Sequence, residues 1–181
     1  MRMKTINLVN LTIVFCIIIS CLLGCNDKEH QKDEELLKNF QSYKVEFNQL
    51  LQNFQEDKSL GRVAPDFTRT SNFFEKCKEP NGWNGKEVEV SNERLAEYRK
   101  LFDSLELSAG IEGYCGKEII QFVSSTKGLS VTGSSKGYAY LRKSPKTLVD
   151  NLDNYWSEDR KSFTAYRHIE GNWYLYFDYE D

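Results

Sequence analysis

Ile119-Ile120-Gln121-Phe122-Val123, Leu129-Ser130-Val131-Thr132-Gly133 and Tyr138-Ala139-Tyr140-Leu141-Arg142 follow one another closely. Phe163 to Ile169 and Trp173 to Tyr179 come after a gap. These runs are rich in β-branched and aromatic residues and are separated by glycine-containing turns. Lys127-Gly128, Gly133-Ser134-Ser135-Lys136-Gly137 and Glu170-Gly171-Asn172 are the turn signals. Short strands at such spacing predict an antiparallel meander closed by a hairpin. In the last strand Trp173, Leu175, Phe177 and Tyr179 share one face, and Tyr174, Tyr176 and Asp178 the other.

Upstream the period changes from two to helical. Leu36, Phe40, Tyr43, Phe47, Leu50 and Phe54 recur at steps of four and three, and Leu37 and Leu51 widen the seam. Gly61 and Pro65 bound its end. Bulky aromatics in so short a seam favour packing on the chain's own domain over a coiled-coil dimer, so a monomer is expected. A second helix is capped by Ser91 or Asn92, with Glu93 in its first turn and Leu95, Tyr98, Phe102 and Leu105 on its apolar face. Thr70 to Lys78 and Lys146 to Leu152 read as brief helices, and Glu87 to Val90 as a short strand. The fold class is therefore α+β: about five antiparallel strands with two longer helices on one face.

The N-terminus follows different rules. Arg2 and Lys4 precede an apolar run from Leu11 to Leu23, shorter than the roughly 20 residues of a membrane-spanning helix. The run ends in Leu22-Leu23-Gly24-Cys25, which resembles the lipobox of bacterial lipoproteins. The resemblance implies a signal peptide over 1–24, cleavage before Cys25, and acylation of Cys25. Residues 25–32 then form a lipidated tether and 33–181 a single globular domain. Two or three acyl chains give stable anchoring, at about 0.8 kcal/mol per buried CH₂. Asn26 is not the aspartate that resembles an inner-membrane retention signal. In a diderm cell the outer membrane, facing the periplasm, is therefore favoured.

The whole chain has 181 residues, 13% aromatic, with a formal charge of −3. Cleavage removes two bases and no acid, so the remaining domain is more acidic still. This balance argues against nucleic acid, and the aromatic content against disorder. Of the five cysteines, Cys16 and Cys21 leave with the signal and Cys25 takes lipid. Cys77 and Cys115 remain in an oxidising compartment and are expected to form a disulfide, contributing about 4 kcal/mol in the chain-entropy picture.

Motifs for chemistry are weak. Gly133 to Gly137 lacks phosphate-loop spacing and no helix follows it. Ser124-Ser125-Thr126-Lys127 matches Ser-x-x-Lys but ends a strand instead of opening a helix. His30 and His168 do not assemble a zinc set. The pairs Glu87/Glu89 and Asp178/Glu180 each share a strand face, as solvated charge commonly does. No cofactor or metal is expected. The aromatic cluster is the stronger signal. Tyr138, Tyr140, Tyr166, His168, Tyr174, Tyr176 and Asp178 are the candidate binding surface. Lys136 to Phe177 also resembles small uncharacterised bacterial envelope proteins, a likeness that implies no activity. The expected function is a non-enzymatic envelope lipoprotein that binds a protein partner, such as an immunity or inhibitor protein. The alternative is a glycan-binding protein or hydrolase using the aromatic face and a carboxylate.

Overall fold

The computed structural model describes residues 29–70, 90–114, 117–129, 132–155 and 162–181. Helices α1 (Asp33–Ser42), α2 (Lys44–Glu56) and α3 (Asn92–Leu105) accompany seven strands. The strands are β1 (Leu60–Val63), β2 (Thr68–Thr70), β3 (Gly110–Tyr114), β4 (Ile119–Leu129), β5 (Thr132–Leu141), β6 (Phe163–Glu170) and β7 (Trp173–Glu180). They form one antiparallel sheet in the order β2-β1-β3-β4-β5-β7-β6. The α+β class stands.

The strands partition differently from the sequence reading. Two of the expected turns are not turns: β4 and β5 run unbroken and pair from Ile119↔Leu141 to Leu129↔Thr132. A bulge between Val123 and Ser125 adds twist to the ribbon. The glycines serve close approach between strands. A Cβ on Gly137 would lie 2.1 Å from the Phe122 carbonyl oxygen, and one on Gly133 would lie 2.6 Å from that of Lys127. Strands β1, β2 and β3 are additions in stretches that read as loop. The expected helix over Lys146 to Leu152 is instead extended: Leu148 bridges Tyr166 in parallel, with Val149 donating to the Tyr166 carbonyl. The expected helix over Thr70 to Lys78 lies outside the described residues beyond Thr70, which ends β2. The Glu87 to Val90 strand lies outside them except for Val90, which is not in a strand.

The single long helix breaks at Tyr43, whose backbone sits at φ −122°, ψ 29°. Tyr43 therefore leaves the seam and is 41% exposed, while Leu36, Phe40, Phe47, Leu50 and Phe54 stay buried. The break swings Phe40 and Phe47 toward one another, 5.2 Å between centroids. Both rings reach the sheet, Phe47 at 4.5 Å from Tyr138 and Phe40 at 5.1 Å from Trp173. Helix α3 adds Tyr98, Phe102 and Leu105 to the same core, and Ser91 caps it by accepting from the Arg94 amide. The helices thus lie on the sheet face of Phe122, Tyr138 and Leu175.

Candidate functional site

Strand register sorts the aromatic residues onto two faces. Tyr138 pairs with Leu175 and Tyr140 with Trp173. Both tyrosines therefore face the helices, and the expectation that they neighbour Tyr174 and Tyr176 is corrected. Tyr138 is fully buried, its hydroxyl donating to the Leu36 carbonyl at 3.1 Å and accepting from Asn39. Tyr140 packs edge-on against Trp173.

Tyr166, His168, Tyr174, Tyr176 and Asp178 share the opposite face. There Tyr174 and Tyr176 form a smaller cluster with Ala139 and Leu141, against which Ile119 and Tyr166 pack. That cluster contains no helix residue. Tyr176 is fully buried and Tyr174 nearly so, so neither of these candidate binding residues presents an exposed ring. His168 is exposed, stacks edge-on with Tyr174 at 5.1 Å, and lies 3.1 Å from the Gly171 carbonyl oxygen.

Beside this cluster lies an open cleft of about 380 Å³. Tyr114, Ile119, Gln121, Thr164, Tyr166 and Asp178 are among its walls. Asp178 accepts from the Thr164 hydroxyl. Nearby, buried Glu112 accepts from the Tyr114 hydroxyl and pairs with Arg62 at 3.3 Å. Burial, with the charge of Asp178, pushes the Tyr166 hydroxyl up to about 12. Burial and Glu112 push Tyr114 higher still, and they act in the same direction on Tyr176. These hydroxyls stay protonated, so they are potential donors and do not act as bases; the Tyr114 hydroxyl donates to Glu112.

A second polar assembly, not anticipated from the sequence, gathers where the N-terminal segment meets β4 and β5. His30 sets Nδ1 2.7 Å from Ser125 Oγ and Nε2 2.8 Å from Ser134 Oγ. Its ring meets Phe177 edge-on at 5.6 Å. Ser124 donates to the Gln31 side chain at 2.7 Å and to the Glu106 carbonyl. Burial, then the charges of Lys127 and Lys136, lower the His30 pKa to about 4. Next to it Lys136, only 3% exposed, pairs with Asp33 at 2.9 Å and with Asp153. Asp33 also accepts from the Leu152 amide and pairs with Arg167 at 3.2 Å. Burial opposes ionisation of Asp153, but the hydrogen bond and charge of Lys136 outweigh it and hold the carboxyl below its ordinary value. An open hollow of about 540 Å³ adjoins this clasp, lined by His30, Lys136, Asp153, Tyr155 and Phe177 among others.

The assembly explains two weak motifs. Ser124 of the Ser-x-x-Lys match is engaged by Gln31, and Lys136 of the glycine-flanked run is consumed by buried Asp33 and by Asp153. It also shows that residues 30 and 31 are fastened to the domain, inside what reads as tether. A signal for this was the apolar-to-polar switch in β4 and β5, where three serines and a lysine replace core residues. Cys25, Cys77, Cys115, Glu87 and Glu89 lie outside the described residues. Among the described residues no group of three or more His, Cys, Asp or Glu could hold a metal ion. Nor is any described helix long and apolar enough to cross a membrane. Comparison with protein families, curated proteins and solved structures finds no match for this chain.

Proposed function

We propose that the chain is an envelope lipoprotein, anchored through Cys25, that binds a protein partner on the sheet face opposite the helices and performs no chemistry of its own. An inhibitor or immunity protein is the form this takes. The observation that carries the reading is how that face uses its reactive groups. Glu112 is engaged by Arg62 and Tyr114, Asp178 by Thr164, and the Tyr114, Tyr166 and Tyr176 hydroxyls are held neutral. What the cleft offers is rings, hydroxyls, an amide and fixed carboxylates, which is recognition chemistry.

The test is capture from envelope extract on the full chain, compared with Tyr166→Ala and Gln121→Ala variants of unchanged melting temperature. One protein retained by the wild type and lost by either variant supports the reading. Retention of peptidoglycan fragments alone, or turnover of them, favours the glycan-binding or hydrolase alternative and overturns it.

A further inference from the structure

We propose that the end of the sheet holding His30 faces the lipid headgroups, so that the domain sits on the bilayer with a preferred polarity. The inference rests on acylation of Cys25. His30 lies five residue steps beyond Cys25, and a fully extended chain of that length spans at most about 18 Å. His30 itself is fixed by Ser125 of β4 and Ser134 of β5, and Gln31 by Ser124. The β4–β5 end of the sheet must therefore stay within that reach of the bilayer. The opposite end is marked by the Gly171 turn, where Lys44 pairs with Glu170, beside the helix break with Tyr43 and Val45. Along β5, Ser134 and Leu141 are seven residues apart, about 23 Å. The far end is under no such limit, so on average it stands farther from the bilayer than the His30 end. Helix α1 agrees with this polarity. It starts at Asp33, in the clasp with Lys136 and Asp153, and ends beside Lys44 at the far end.

Charge does not select this face. Lys32 and Lys127 are accompanied by Glu29, Glu106 and Asp153 among the described residues at this end, and tether length imposes the approach. The orientation is consequently insensitive to salt, unlike a basic patch bound to anionic lipid.

The experiment uses the full lipidated chain in vesicles of phosphatidylethanolamine and phosphatidylglycerol containing an acceptor-labelled lipid. A donor fluorophore is placed by azide chemistry at Thr126 or at Val45, both exposed. Energy transfer is expected to be clearly stronger from position 126, at low and high salt alike. Equal or reversed transfer in acylated chain overturns the orientation and leaves the anchor standing. A mass spectrum without acyl chains overturns both. His30→Gly and the double variant Ser125→Ala, Ser134→Ala lengthen the unfixed stretch and should narrow the difference, with near-ultraviolet dichroism unchanged. An undiminished difference in both would overturn the clamp as its cause.

Discussion

His30 is gripped by hydroxyls from two strands and is held mostly neutral by burial and by Lys127 and Lys136. In the unfolded chain its imidazole titrates near 6.5, and burial lowers this to about 4 in the folded one. Between those values the unfolded chain binds more protons, so acid favours unfolding. The contribution is complete above pH 6.5 and is lost as pH falls toward about 4. Thermal melts across this window should show falling stability, and His30→Gln should flatten that part of the profile. An unchanged profile in the variant would mean that His30 does not titrate as placed. Lys136 makes a sharper case. It is the buried cation between Asp33 and Asp153. Removing one partner of a buried pair leaves an uncompensated charge, at a cost of about 3–5 kcal/mol. Lys136→Ala should lose stability on that scale in urea denaturation. Lys136→Ala combined with Asp33→Asn should recover part of the loss.

At the scale of elements, the β4–β5 ribbon is the spine, and its glycines are the features most easily misread. Gly133 and Gly137 bracket two serines and a lysine, a pattern that elsewhere makes a loop. Here both sit where another backbone comes too close for a Cβ. Gly137→Ala should cost about 3 kcal/mol through overpacking against the Phe122 carbonyl, or prevent folding. If instead Gly133 and Gly137 made a turn with open space, alanine would be nearly neutral in the same denaturation series. Local pattern cannot separate these cases, because the obstacle is on a neighbouring strand. The same limit hid β1 and β3, which are short and pair with each other, Arg62 with Glu112 and Val63 with Ile111, across a long stretch of chain. Where the signal is periodic and long, sequence suffices. The Leu36, Phe40, Phe47, Leu50 and Phe54 seam, the Ser91 cap and the Glu170–Asn172 hairpin turn were all legible. Tyr43 was not, because a helix break without Gly or Pro is decided by what the two halves pack against.

For the whole molecule the decisive question is where the tether ends and the domain begins. From composition alone the polar stretch Asn26 to Lys32 reads as tether, because nothing apolar marks a docking site. The candidate surface suffered from the same blindness: alternation within β7 was legible, but the register that sets Tyr138 beside Leu175 was not. His30 and Gln31 dock entirely through polar groups, at least three side-chain hydrogen bonds to Ser124, Ser125 and Ser134. Each contributes about 1 kcal/mol net. A chain beginning at Asn26 should therefore exceed one beginning at Asp33 by about 3 kcal/mol in chemical denaturation. The shorter chain also leaves the hydroxyls of Ser125 and Ser134 without their imidazole, and hydrogen exchange along β4 and β5 should rise there first. Equal stability and equal exchange in the two chains would return residues 30 and 31 to the tether. The proposed anchor at Cys25 would then impose no preferred orientation on the domain.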